Sequence, residues 1–263
     1  MSALLLEGQI IHYEVLGRGR PIIFLHGWVG SWRYWISSMQ VASTSFRAYA
    51  LDLWGFGDTA RDPQKYSLNQ QANLLNRFLD DLGVAKVAIV GHGLGALVGF
   101  TYAARWPTSV DRIMAVNCPL SFEDIDTRLR KFPTVQELIN WLGNRSLEVS
   151  NALSDASKVD PTAVSGSINS YQSNGLFGKV RETQIPTLLV YGQSDPAILT
   201  PDFKDEDKLP HMMHQVVLEG VGHFPMIDNP SRFNRLLTDF LALDSGASPR
   251  ELRLKEEWKR RVR

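Results

Sequence analysis

The sequence predicts an α/β protein built on a mainly parallel sheet with helices on both faces. Short apolar runs of strand length recur along the chain, and amphipathic stretches of helix length separate them. A glycine-rich turn, Gly91-His-Gly-Leu-Gly95, leads one such strand directly into an Ala/Gly-rich helix. In sheets of this kind ligands gather at the C-terminal strand ends, where that turn lies.

The elements follow in order. Residues 3–7 and 10–16 read as paired strands around Gly8-Gln9, and residues 21–25 as a short buried strand. The runs 48–52, 87–90, 113–116, 187–191 and 215–218 repeat the buried-strand pattern. Helical patterns lie at 31–41, at 67–82 with Leu68, Ala72, Leu75 and Leu79 on one face, at 94–105 and at 229–242. Between Pro119 and Ile185 no buried strand is expected; helix-like pieces occur at 121–131, 134–143, 145–157 and 161–174. The expected organisation is a core of residues 1–118 and 186–245, a helical cap at 119–185 over the strand ends, and a basic tail at 246–263.

Composition narrows the function classes. With 28 Lys plus Arg against 28 Asp plus Glu, no overall field draws nucleic acid or acidic substrates. The one cysteine, Cys118, excludes an intramolecular disulfide and a Cys-rich metal site. His211 and His214 lack carboxylate neighbours in the sequence, so neither metal nor other cofactor is expected. The N-terminal stretch lacks a basic segment followed by an apolar core, and no apolar run reaches bilayer-spanning length. A cytoplasmic protein without a transmembrane segment is the expectation.

Four motifs carry a resemblance: Phe24-Leu-His-Gly-Trp28, Asp52-Leu-Trp-Gly-Phe-Gly57, Gly91-His-Gly-Leu-Gly95, and the late pair Gly192-Gln-Ser-Asp195 with Gly222-His-Phe-Pro225. In this order the chain resembles the α/β-hydrolase superfamily over nearly its whole length. The run to Leu120 looks closest to the capped branch of epoxide hydrolases, dehalogenases and esterases. Gly91–Gly95 then corresponds to the nucleophile elbow, G-x-S-x-G, with Gly93 where the nucleophile stands. The resemblance implies Asp195 and His223 as the acid and base of the triad, and the backbone N–H groups of Trp28 and Leu94 as the oxyanion hole. Val29 replaces the proline of the epoxide-hydrolase pattern, and Leu94 replaces the tryptophan that follows a dehalogenase aspartate, which points to serine-type ancestry.

Other residues read as structural: Asp52 as a turn residue, His26 as a loop brace, His92 as packed beneath the elbow. Asp195 also fits a cap for a helix starting near Ala197. In the tail, residues 250–263 hold seven Lys or Arg against three Glu, a local net of +4, and Leu254, Trp258 and Val262 share a helical face. Such a helix suits an anionic membrane surface, a partner, or packing on its own domain.

Glycine cannot attack a carbonyl, so conventional covalent hydrolysis is not expected. Three readings remain: a small-molecule hydrolase scaffold whose nucleophile has been replaced, a catalyst using only the His–Asp dyad, and a receptor that keeps the pocket for a small ligand. All three predict that fluorophosphonate probes leave the 91–95 peptide unlabelled, as peptide mass spectrometry will show; an adduct there contradicts an empty elbow.

Overall fold

The computed structural model describes residues 2–132, 134–143, 147–171, 175–202 and 209–252. Its strands are β1 (Ser2–Leu6), β2 (Gln9–Leu16), β3 (Arg20–Leu25), β4 (Phe46–Leu51), β5 (Val87–His92), β6 (Val110–Val116), β7 (Thr187–Gly192) and β8 (Met213–Leu218). They form one sheet in the order β1-β2-β4-β3-β5-β6-β7-β8. The β1–β2 hairpin is antiparallel and joins β4 antiparallel, and every pairing from β4 to β8 is parallel. Composition follows position: β5 and β7 are buried along their whole length and carry unbroken apolar runs, whereas β2 mixes buried and open residues.

The helices are α1 (Ile36–Ala42), α2 (Leu68–Asp81), α3 (Leu94–Arg105), α4 (Thr127–Arg130), α5 (Val135–Gly143), α6 (Leu147–Ala152), α7 (Pro161–Tyr171), α8 (Leu176–Glu182), α9 (Pro225–Asp228) and α10 (Pro230–Leu241). α1 packs against α10, and α3 packs against α2 and α8, giving two helical layers. α2 begins where the Ser67 side chain accepts from Gln70 N–H, and its Leu68, Ala72, Leu75 and Leu79 are buried on one stripe. The single helix expected at 31–41 is instead a 3₁₀ turn, Trp32–Trp35, followed by α1. Ser31 sets that tighter turn by accepting from Arg33 N–H. α8 was not foreseen, because seven residues with a Gly among them carry too little periodicity to read.

Among the described residues no helix is long and apolar enough to cross a membrane. Leu254, Trp258 and Val262 of the basic tail lie outside the described residues.

Loops at the C-terminal strand ends are fixed by buried polar residues. Asp52, at the end of β4, accepts from Trp32 N–H at 2.9 Å, from Asp58 N–H at 3.2 Å, and pairs with His12 Nδ1 at 2.8 Å. A Cβ at Gly57 would stand 2.1 Å from an Asp52 oxygen, so the Trp54–Gly57 turn closes on the carboxylate only with glycine there. His26 Nε2 accepts from Leu53 N–H at 3.0 Å, while Nδ1 lies 2.8 Å from Gly27 O. Gln71, buried on α2, accepts from Trp54 N–H at 2.9 Å and donates to Trp54 O at 3.0 Å. Thus Asp52 and His26 tie the loops after β3 and β4 together.

Two consequences follow for stability. Arg112, buried in β6, donates to Asp111 at 2.7 Å, to Phe240 O at 2.7 Å and to Asp244 O at 3.1 Å, so it caps the C-terminal end of α10. Arg112→Met should cost about 2–4 kcal/mol in urea unfolding, because buried carbonyls lose charged donors.

Burial holds His26 below its ordinary pKa, and burial followed by the nearby His223 holds His92 well below it. Both take up a proton less readily in the folded chain than in the unfolded one, which protonates below about pH 6.5, so they lower stability as pH falls. His12 has the opposite sign: burial opposes its charge, but the hydrogen bond and charge of Asp52 outweigh it and raise its pKa. Its stabilisation is full below the ordinary histidine value and is lost as pH rises through its raised pKa. His92→Asn should therefore reduce the loss of urea midpoint between about pH 7 and about pH 5; an unchanged slope contradicts a buried neutral imidazole.

Candidate active site

β5 ends in a sharp turn and α3 begins at once. Gly93 sits at φ +49° and ψ −108°, in the half of backbone space that strains any residue with a Cβ. Its neighbours are held by close approach: a Cβ at Gly95 would lie 2.2 Å from Leu25 O, and one at Gly91 would lie 2.5 Å from Ala96 N. The helix start is thereby pressed onto the ends of β3 and β5. Leu94 is the first residue of α3, so its N–H is one of the donors a helix leaves unpaired at its N-terminus.

The loop after β3 runs beside this turn. Among the described residues the Trp28 N–H has no internal acceptor. The Trp28 indole is buried and its Nε1–H donates to Ser167 Oγ on α7 at 3.0 Å. A Cβ placed on Gly93 would meet two Trp28 ring carbons at 3.2 and 3.3 Å. That is tight but clears if the ring yields a few tenths of an ångström.

His223 and Asp195 come from the loops after β8 and β7. His223 Nδ1 lies 2.9 Å from each Asp195 oxygen, and the two side chains are 3% and 1% exposed. The carboxylate accepts only, so Nδ1 carries a proton toward it. Asp195 Oδ1 also accepts from Ala197 N–H at 2.7 Å. The helix expected to start near Ala197 is absent: Ile198 forms an isolated bridge with Ile125 instead. Asp195 therefore closes an Asx turn that fixes its own carboxylate, and serves both contacts at once.

His92 lies under this arrangement, fully buried, with its ring 4.7 Å from that of His223. The Tyr34 hydroxyl accepts from Gly27 N–H and lies 3.0 Å from His92 Nδ1. Its own proton faces the neutral His92 ring, so a polar chain links the loop after β3 to the base of the elbow. Burial holds the Tyr34 phenol well above its ordinary pKa, so it stays protonated for this role.

Gly93, Trp28, Asp195 and His223 thus lie on loops at the C-terminal strand ends, with Leu94 opening α3, and the His92–His223 ring contact at 4.7 Å connects the Gly93 turn to the Asp195–His223 pair. Sequence reasoning missed Tyr34, Ser167 and Asn117. Tyr34 and Ser167 act through side-chain direction, which periodicity does not encode; Asn117 carried a signal in its place at a strand end before Cys118-Pro119. Among the described residues, His12, Asp52 and Asp58 are the group whose ligand atoms approach closely enough to share an ion. The Asp52 oxygens there already bind two backbone N–H groups and His12, which accounts for the cluster as a brace.

Known proteins match this architecture. Epoxide hydrolase 4 of Homo sapiens is 24% identical over 277 residues, covering 89% of this chain and 76% of that protein. The pimeloyl-[acyl-carrier protein] methyl ester esterase of Nitrosospira multiformis is 24% identical over 262 residues, covering 86% and 96%. Among solved structures, the N-acyl homoserine lactonase AidH complexed with N-butanoyl homoserine superposes with a TM-score of 0.81 at 21% identity, covering 97% of this chain and 98% of that one. Likeness at that identity concerns the fold, and the sequence match of residues 22–236 extends it: this chain belongs to the Alpha/beta hydrolase family.

Proposed function

We propose that this chain is a small-molecule hydrolase scaffold of the ester or lactone type whose covalent route is closed at Gly93. Asp195 and His223 form its base dyad, and the N–H groups of Trp28 and Leu94 are its oxyanion donors. The helices between β6 and β7 act as a cap over the strand ends. The observation that carries this reading is the assembled, buried pair: His223 Nδ1 at 2.9 Å from both Asp195 oxygens. The names of the relatives, an epoxide hydrolase, a methyl ester esterase and a lactonase, agree on an electrophilic C–O bond opened by water.

The chemistry left to such a site is direct. His223 Nε2 takes a proton from water as the water oxygen adds to the ester carbonyl. The developing oxyanion is received by the two N–H groups. The tetrahedral species then expels the alkoxide, to which His223 returns the proton, giving acid and alcohol. Loss of a triad serine costs on the order of 10⁶ in turnover, with roughly 10³–10⁴ over water remaining.

A second reading, a non-catalytic receptor for a small ligand, draws on Trp28. Its buried ring walls the space a side chain at 93 would enter, which favours an apolar occupant.

Gly93→Ser separates the two. Restored to a preorganised site, the hydroxyl should become labelled by fluorophosphonate and hydrolyse short-chain aryl esters on the order of 10² or more above the unaltered protein. His223→Ala in that background should abolish the gain, and Asp195→Asn should remove most of it. A folded Gly93→Ser protein that stays unlabelled and inert across a broad ester and lactone panel supports the receptor.

A further inference from the structure

Three of the site's four loops, those after β5, β7 and β8, converge on the last residue of β6 and the one after it. Gly93 N–H donates to Val116 O at 2.9 Å, which pins the elbow. The next residue, Asn117, is fully buried and sits at φ +43°. Asparagine is among the few side-chain-bearing residues that enter this left-handed region with any frequency. The turn takes Asn117 out of the strand's alternation and places its amide between the loops after β7 and β8.

Each polar atom of that amide is used. Oδ1 accepts from Gly192 N–H at 2.8 Å, and Nδ2 donates to His223 O at 2.9 Å, with a longer contact to Gly222 O at 3.4 Å. Its own N–H donates to Val190 O at 2.8 Å. Gly192 ends the strand that leads into Asp195, and His223 O belongs to the base itself. Other bonds join the same two loops, Gln193 N–H to Leu218 O at 3.1 Å and Ser194 N–H to Val221 O at 2.8 Å. Those bonds stop short of His223; the amide of Asn117 grips its peptide.

We propose that Asn117 is the positioning residue of the dyad, setting the separation and orientation of Asp195 and His223 from a third strand. The proposal rests on the reading of that pair as the site's base. The role needs an acceptor and a donor on one short planar group. Aspartate supplies only the acceptor and would turn a carboxylate toward His223 O, while an apolar residue would leave both loops with unpaired buried groups.

The test has a readout independent of activity. In the full chain with ¹⁵N-labelled histidine, long-range ¹H–¹⁵N spectra report which ring nitrogen of His223 carries the proton, assigned by comparison with His223→Ala. The unaltered protein should show a single Nδ1–H tautomer. Asn117→Gly keeps the positive φ without strain and deletes the clasp, so His223 should become a mixture of tautomers in a folded protein. Asn117→Asp, which retains the Gly192 contact, provides a second variant should the glycine form fail to fold, and should show the same loss. In the Gly93→Ser background either variant should lower kcat on the order of 10–100-fold while KM changes little. A single Nδ1–H tautomer retained in the folded variants overturns the proposal, as does a tautomer mixture in the unaltered protein. Should Gly93→Ser prove inert while the tautomer responds to Asn117, the proposed function fails and the clasp stands.

Discussion

The backbone reversal at Gly93 is the constraint on which the site depends. A parallel strand that ends against its neighbours must hand the chain to a helix within one residue, and that residue takes φ +49°. Gly91 and Gly95 then let the helix start close against β3 and β5, where side chains would collide with Leu25 O and Ala96 N. The turn presents the Leu94 N–H at a helix N-terminus, and the loop after β3 brings the Trp28 ring beside Gly93. Glycine at 93 meets the geometry without the strain a nucleophile there would bear, a difference of about 1–3 kcal/mol. Under the proposed function, the glycine that closes the covalent route also adds stability, the direction in which such exchanges usually run.

Below the turn, the loops are joined to one another by buried hydrogen bonds and a ring contact. Asp52 and His26 hold the ends of β3 and β4 together, Tyr34 connects Gly27 to His92, and His92 packs against His223. Asp195 is fixed by its own Asx turn before it reaches the imidazole. A dyad held in this way requires no side chain at 93 for its orientation, which explains how His223 and Asp195 stay paired beside a glycine.

Much of this was legible in the sequence. Apolar runs marked the inner strands because strands covered on both faces have little polar side to display, whereas β8, at the sheet's edge, showed only through its short run to Leu218; the stripe on α2 marked a helix covered on one face. The turn from β5 into α3 was legible because glycines at alternate positions answer steric demands that few other residues meet. The 3₁₀ turn at Trp32–Trp35 was not, since its start depends on one Ser31 hydrogen bond. Neither was the Trp28–Ser167 contact, which joins residues 139 positions apart and depends on where an indole points. Asn117 had a visible place at a strand end, but its work lies in two long-range bonds that no periodicity carries.

If the proposed function holds, a competent site surrounds the place a serine hydroxymethyl group would take at Gly93, and methanol can supply that group from solution. Methanol is that group with one added hydrogen, small enough to share the space beside Trp28. With an aryl ester present, its oxygen should add to the carbonyl as His223 takes its proton, the aryloxide should leave, and a methyl ester should form. Methyl ester should accumulate at a rate that saturates with methanol and vanishes in His223→Ala. Methanolysis no faster than in protein-free solution, or equally fast without His223, would contradict it.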